Sequence, residues 1–399
     1  MRRLSIGIAG CGVAGLAAGA LLAREGHRVT LFERAPAPAP VGSGLILQPL
    51  GLAVLGELGA RAQIETLGAR VRRLFGRSAP SGRIVLDVRY AAIGAEAYGL
   101  SVHRAALFDV LLKAGRAAGL DIVSGRTVIG AEDGWLAFED GRRARFDLAI
   151  DALGAGSRLS PRAPLLTYGA LWASLNWTEG FADDALEQRY ERARRMVGVL
   201  PIGRIAAGGA QQAAFFWSLK HADFEAWRAA PLEAWKEEVL RLWPETAPLV
   251  AQVRSHEDLI MARYAHRTVR EPIGRGFVRV GDAWHCTSPQ LGQGANFALL
   301  DALALSRALA TRSDLAAALE DYVLMREWHV RLYQLASFLF TPAYQSDSVV
   351  LPWLRDGLVG PVSRIWPAPK LLASLVAGMW GGPLGAIGGC ALEGPTRLS

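Results

Sequence analysis

"LSIGIAGCGVAGLAAGALLAREGHRVTLFER", residues 4–34, decides the fold. "LSIGIAG" is a short β-type run, Gly10, Gly12 and Gly15 open a helix-type run, and "HRVTLFER" reads as a second strand ending in Glu33. A Gly-x-Gly-x-x-Gly that follows a strand, starts a helix and precedes an acid by about 20 residues is the full context of a dinucleotide-binding βαβ unit. Each glycine has its own task. Gly10 permits the tight turn, Gly12 lets the backbone approach a pyrophosphate, and Gly15 lets helix and strand pack closely. The free N–H groups and the helix dipole then favour an anion. Glu33 is placed to accept hydrogen bonds from adenosine ribose hydroxyls, with Arg34 beside it. This unit alone leaves NAD and FAD undecided.

The rest of the chain narrows the classes. At 399 residues it has room for two domains, or for one large core with an insertion. Hydrophobic residues make up 51% and charged residues 20%, the balance of a globular chain. The formal charge of +7 rests on arginine, since Lys113, Lys220, Lys236 and Lys370 are its lysines. Those arginines are scattered, whereas a nucleic-acid surface would cluster them, so no nucleic-acid partner is expected. Cys11, Cys286 and Cys390 are odd in number and lack a CxxC spacing. That argues against a disulfide framework or a metal site and for a reducing cytoplasm. The N-terminal apolar run is broken by glycines and followed by Glu25 and His27, so it belongs to the fold and is not a signal peptide.

A second stretch, "GDAWHCTSPQLGQGANFALLDA" at 281–302, sets a Gly-Asp pair, a proline and closely spaced glycines before a helix-like run. With the N-terminal unit and "HRAALFDVLL" at 103–112, in that order and at these separations, it resembles the single-component FAD-dependent aromatic hydroxylases. These are the para-hydroxybenzoate hydroxylase-like flavoprotein monooxygenases, and the resemblance spans roughly residues 4–340. It implies FAD. It also implies that Asp282 bonds the ribityl chain and that Pro289 sits over the reacting edge of the isoalloxazine. Gly292, Gly294, Ala295 and Asn296 would offer backbone N–H groups to the pyrimidine ring. A helix N-terminus suits the negative charge of reduced flavin. "VGSGLILQP" at 41–49 matches the loop that passes the flavin, with Gly42, Gly44 and Gln48, and Arg104 matches an arginine that reaches FAD from a helix. His285, Tyr322 and Arg326 are read as structural, and Asp301 as a surface or packing residue. One motif departs from the family. In "DLAIDALGAGSRLS", 147–160, Leu153 stands where relatives carry an Asp, and Asp151 is the candidate replacement two residues earlier.

The resemblance and the pattern together give an α/β (α+β overall) fold. A Rossmann-like FAD-binding domain (1–70, 99–164, 271–340) holds an inserted antiparallel-sheet substrate domain (71–98, 165–270) and is followed by a C-terminal helical tail (341–399). "TYGALWASLNW", "RMVGVLPIGR" and "QQAAFFWSLK" read as strands of that sheet, with Trp172, Phe215 and Trp217 as candidate pocket walls. "FEAWRAAPLEAWKEEVLRLWP" reads as a helix pair divided near Pro231, and the Asp-Gly pairs at 133–134 and 140–141 as hairpin turns. No arginine can be placed for a substrate carboxylate, so the expected substrate is an apolar or bulky aromatic, phenol- or quinol-like. The implied activity is hydroxylation with NADPH or NADH and O2, oxygen adding first at C4a of the flavin. The alternative is an FAD oxidoreductase, dehydrogenase or reductase, without oxygen insertion. The expected location is cytoplasmic. The uncharged tail at 371–392 is expected to pack on the body, with a peripheral membrane contact as the other option.

Overall fold

The computed structural model describes residues 2–38, 42–79, 81–363 and 365–388. In β1 (Ser5–Ala9) the side chains of Ile6, Ile8 and Ala9 are fully buried, as a central strand covered on both faces requires. Helix α1 (Val13–Arg24) is lined with Ala, Gly and Leu, which lets it lie close to the sheet. It returns the chain to β2 (Arg28–Phe32), parallel to β1 with Ser5 opposite Arg28. β3 (Gly44–Leu47) leads into α2 (Pro49–Glu57), whose first residue is a proline with no N–H to leave unpaired. The chain then leaves through β4 (Arg73–Ser78) and β5 (Ile84–Arg89) and returns on β6 (Gly99–His103), which pairs antiparallel with β3. α3 (Arg104–Ala117) and β7 (Asp121–Val123) extend the parallel sheet beyond β2. Asp133 and Gly134, both with positive φ, form the tight turn between the hairpin strands Val128–Glu132 and Trp135–Phe138. β8 (Leu148–Asp151) then pairs with the free side of β1, setting Asp151 opposite Ala9.

A second sheet follows from β9 (Tyr168–Asn176), β10 (Ala185–Glu191), β11 (Arg195–Arg204) and β12 (Gln211–Lys220), then α4 (Leu232–Leu242) and β13 (Ile260–Ala262). Its order is β13–β9–β12–β11–β10–β4–β5, antiparallel except where β10 runs parallel to β4. β10, "ALEQRYE", was not among the expected strands: its charged residues hide the pattern, and its pairing with β4 supplies what the sequence lacks. The two faces differ. Leu171, Ala173, Phe215 and Trp217 pack beneath Trp235, Val239 and Leu242 of α4. Trp172, Leu200, Ile202, Ala214 and Phe216 occupy the other face.

β14 (Ile273–Gly274) and β15 (Phe277–Arg279) complete the first sheet, ordered β14–β15–β8–β1–β2–β7, in which only the β14–β15 pair is antiparallel. α5 (Gly294–Thr311) lies buried against α1, α2 and α6 (Leu315–Tyr344). The Asp314 side chain caps α6 by accepting from the Ala317 N–H at 2.9 Å. α7 (Ala368–Val376) and the residues after it then fold back onto the body, burying Ala373, Leu375 and Val376 of the helix and Leu384 and Ile387 beyond it. The tail therefore packs as expected through residue 388, and its last residues lie outside the described ones. Among the described residues no helix is long and apolar enough to cross a membrane. The whole is an α/β fold.

Candidate functional site

Three glycines shape the N-terminal turn in different ways. A Cβ at Gly15 would collide with the Gly10 carbonyl oxygen, and one at Gly10 (φ +107°) would lie 2.6 Å from the Ala152 carbonyl oxygen. Backbone therefore forces both. A Cβ at Gly12 would meet nothing within 4 Å, so no packing within the chain demands glycine there. α1 carries no acid in its first turn and no side-chain cap, which leaves its positive end open. Glu33 sits beside it, one carboxylate oxygen accepting from the Cys11 N–H at 3.1 Å and the other from the Ala35 N–H at 2.9 Å. Arg34 is exposed on the loop beyond. Burial pushes the Cys11 thiol up to about 12, with Glu33 adding to it, and the Cys286 thiol up to about 11. Neither is a poised thiolate.

The second motif reaches the same place. Gly281 has φ +59°, and a Cβ on it would lie 3.2 Å from that of Ala14 and 3.3 Å from that of Ala298. It is thus wedged between α1 and α5, which sets Asp282 at the mouth of the glycine turn. Among the described residues the Asp282 carboxylate has no hydrogen-bond partner. Burial raises its pKa, against the pull of His285, Arg104 and Arg267. A Cβ at Gly294 would come 3.8 Å from Asp282 Oδ1, so the first turn of α5 borders this carboxylate. α5, like α1, has no acid in its first turn. Pro289 is exposed and starts a 3-10 turn that ends at Gly292, left-handed with φ +62°. Gln48 Nε2 lies 3.7 Å from where a Gly292 Cβ would be.

Asn296 does more than its position suggested. Its Oδ1 accepts from the Gln48 N–H at 2.7 Å, and its Nδ2 donates to the carbonyls of Ile46 at 3.1 Å and Gly292 at 3.0 Å. The side chain staples the β3–α2 loop to α5. The Gln48 side chain is held in turn by the Tyr90 hydroxyl at 2.7 Å. On the other flank, the Arg104 N–H donates to the Ser43 carbonyl at 2.8 Å and its side chain lies along Gly42, where a Cβ would come 2.8 Å from Arg104 Cδ. Gly44 allows Ile202 and Ala214 to press against the loop. The structure thus brings Gly10, Gly12, Gly15 and Glu33 together at the first turn of α1 and Asp282, Gln48, Gly292, Gly294 and Asn296 together at the first turn of α5, with Gly281 packed between the two helices and Gly44 and Arg104 beside the adjoining loop.

Other expectations need correction. Asp301 is neither a surface nor a passive packing residue. Fully buried, it accepts from the Gly281 N–H at 2.7 Å, His285 Nε2 at 2.7 Å and Arg326 Nε at 2.8 Å. Burial alone would raise its carboxyl, but His285 and Arg326 hold it at about 2. Arg326 Nη1 donates to His329 Nδ1 at 2.7 Å, and His329 Nε2 donates to the Gly378 carbonyl at 2.9 Å. One buried chain of polar contacts therefore runs from the 281–302 motif to the tail. Asp151 does not replace the missing acid either. Its carboxylate is buried and spent on the Leu153 N–H at 3.1 Å and the hydroxyls of Ser157 at 2.7 Å and Ser160 at 3.0 Å. Phe215 and Trp217 belong to the core under α4 and are not pocket walls; Trp172 is on the other face, stacked on Phe216 and donating to the Tyr264 hydroxyl at 2.8 Å.

The profile of a family described as "FAD binding domain" matches residues 3–134 and 170–326. Aurachin C monooxygenase/isomerase of Stigmatella aurantiaca is 27% identical over 391 residues, 90% of this chain and 94% of that protein. The 3-amino-4-hydroxybenzoate 2-monooxygenase of Streptomyces cremeus is 32% identical over 334 residues, 78% of this chain and 80% of that one. Among solved structures, the tetrameric form of 2-methyl-3-hydroxypyridine-5-carboxylic acid oxygenase superposes with a TM-score of 0.77 at 21% identity. That match covers 96% of this chain and 98% of the other.

Proposed function

The chain belongs to the FAD binding domain family, the FAD-dependent aromatic monooxygenases of the para-hydroxybenzoate hydroxylase kind, and from that membership we propose that it hydroxylates an apolar or bulky aromatic ring with NAD(P)H as electron donor and O2 as oxygen source. The residues fit FAD. Gly12 opens onto free space at a helix start, and Asp282 is a half-buried carboxylate with no hydrogen-bond partner among the described residues. The observation that carries the reading is the wedging of Gly281 between Ala14 and Ala298, which sets the two motifs side by side.

In this reading FAD, when bound, supplies the two-electron chemistry and the reaction with O2, and the protein supplies binding, orientation and electrostatics. The first turn of α1 holds the pyrophosphate, Glu33 and Arg34 the adenosine end, and Arg104 the flank. Asp282 accepts hydrogen bonds from the ribityl hydroxyls. The N–H groups from Gly292 to Asn296, at the start of α5, would stabilise negative charge on the bound ring system, and the exposed Pro289 would be the residue beside it. Trp172 and Tyr264 form the substrate side, with α7 closing the space from the tail. Ile46, Ile202, Ala214, Leu372 and Met379 cluster there, and their apolar character supports a greasy ring. Relatives named for action on 3-amino-4-hydroxybenzoate and urate support a ring substrate.

The test is direct. Purified protein should be yellow, release FAD and not FMN on heating, and take up O2 with NADPH or NADH when apolar phenols or quinols are added. A folded, colourless protein that takes up no added FAD would refute the assignment.

A further inference from the structure

Between α6 and α7 the chain runs along the edge strand β5. A Cβ on Gly360 would lie 3.1 Å from the Ile84 carbonyl oxygen. Arg355, itself buried, donates to the carbonyls of Ala343 at 2.9 Å and Arg192 at 3.1 Å. The Ser346 N–H donates to the Ala193 carbonyl at 3.1 Å. Backbone and one buried guanidinium thus fasten the segment from below. Its large side chains point the other way. Val350, Trp353, Leu358, Val362, Ile365 and Trp366 each expose half or more of their surface, Trp353 71% and Trp366 84%. A strap that only covered β5 would bury such groups, and a contiguous exposed apolar run of this kind marks an interaction surface.

Charge selects the partner. Between residues 349 and 371 the only acid is Asp356, tied to Arg355 at 2.7 Å, while Asp347 just before is paired with Lys220 at 2.7 Å. Arg83, beside Ile84, and Arg192, Arg194 and Lys370 are exposed, and none has an ion-paired acid among the described residues. In a two-fold dimer built on this patch, that rim would meet its own like charges. Lipid phosphates would neutralise it, and tryptophan is the side chain suited to the boundary between headgroups and acyl chains. We infer that residues 349–371 dock the protein on the surface of a bilayer containing anionic lipid, with Trp353 and Trp366 in the interface. The contact is peripheral, apolar at its centre and electrostatic at its rim.

The experiment is co-sedimentation of the full-length FAD-loaded protein with vesicles of phosphatidylcholine, alone or mixed with phosphatidylglycerol. Mass by sedimentation velocity is measured in parallel. The mixed vesicles should pellet the protein, high salt should weaken the binding, and Trp353→Ser with Trp366→Ser should lower partitioning about 10-fold or more at unchanged flavin content. Wild-type binding is itself decisive, so the test stands even if the double variant folds poorly. Protein that stays in the supernatant with both vesicle types overturns the inference. So does a dimer that the double variant dissociates without any effect on vesicle binding.

Discussion

At the scale of single residues, Gly12 and Gly15 separate ligand from fold. A Cβ at Gly12 meets no atom of the chain within 4 Å, so Gly12→Val should keep the thermal stability of the FAD-free protein yet fail to retain FAD. Gly15→Ala drives a methyl into the Gly10 carbonyl and should lose roughly 1–3 kcal/mol of stability whether or not FAD is present. Denaturant unfolding of stripped protein, with a flavin titration beside it, distinguishes the two; equal destabilisation by both would mean that Gly12 serves packing. Leu153 offers a second residue test. With Asp151 engaged by Ser157 and Ser160, this turn has no free carboxylate. Leu153→Asp should therefore lower the apparent KM for NAD(P)H several-fold in steady-state kinetics. An unchanged KM and unchanged coupling of NAD(P)H to product would remove the position from cofactor handling.

The buried polar chain makes a prediction about acid. Burial, with Arg326 beside it, lowers the His329 pKa from 6.5 to about 2. The unfolded chain therefore binds a proton that the folded one refuses. The resulting stability is full above about pH 6.5 and is eroded as pH falls toward 2. Asp301, held at about 2 against an ordinary 3.8, loses its contribution over the lower part of the same range. His329→Gln should remove up to one proton's worth of slope, about 1.4 kcal/mol per pH unit, from the decline of stability below pH 6.5. A variant whose pH profile runs parallel to wild type would show that His329 is not held neutral.

At the scale of elements, α7 acts as a strap. Gln293 Nε2 donates to the Val376 carbonyl at 2.6 Å, and the Tyr333 hydroxyl donates to the Leu375 carbonyl at 2.8 Å, so the tail fastens the loop that begins α5. Ending the chain after Trp366 would expose the apolar floor beneath Leu375, Leu384 and Ile387. The truncated protein should melt lower and release FAD faster, as differential scanning fluorimetry and flavin fluorescence would show. An unaltered rate of FAD release would confine the tail to stability alone.

What the sequence made legible follows from locality. The glycine turn, Glu33 and the 281–296 motif could be read because each completes its signature within about 20 residues. Asp301 could not, since Arg326, the guanidinium that helps to explain its burial, lies on the next helix and its approach depends on how α5 and α6 pack. Alternation along β12 showed that Phe215 and Trp217 share a face, but not which face α4 would cover. The strand Ala185–Glu191 carries too many charges to announce itself, and it is the pairing with β4 that makes it a strand.

For the whole molecule, the account holds that two sheets meet across one cleft. The first, with α1 and α5, carries the 10–15 and 281–296 stretches; the second presents Trp172 and its apolar neighbours, against which Leu372, Ala373 and Val376 of the tail pack. Such enclosure matters for a monooxygenase because it keeps water from the reacting centre while the oxygen is passed on. The measurement that tests this most directly is turnover of the FAD-loaded protein under 18O2 with NADPH and a panel of apolar phenols and quinols, read by mass spectrometry. The account predicts a hydroxylated ring carrying a single 18O atom, formed in step with NADPH oxidation. Aromatic-dependent NADPH oxidation that leaves 18O out of every organic product would contradict it.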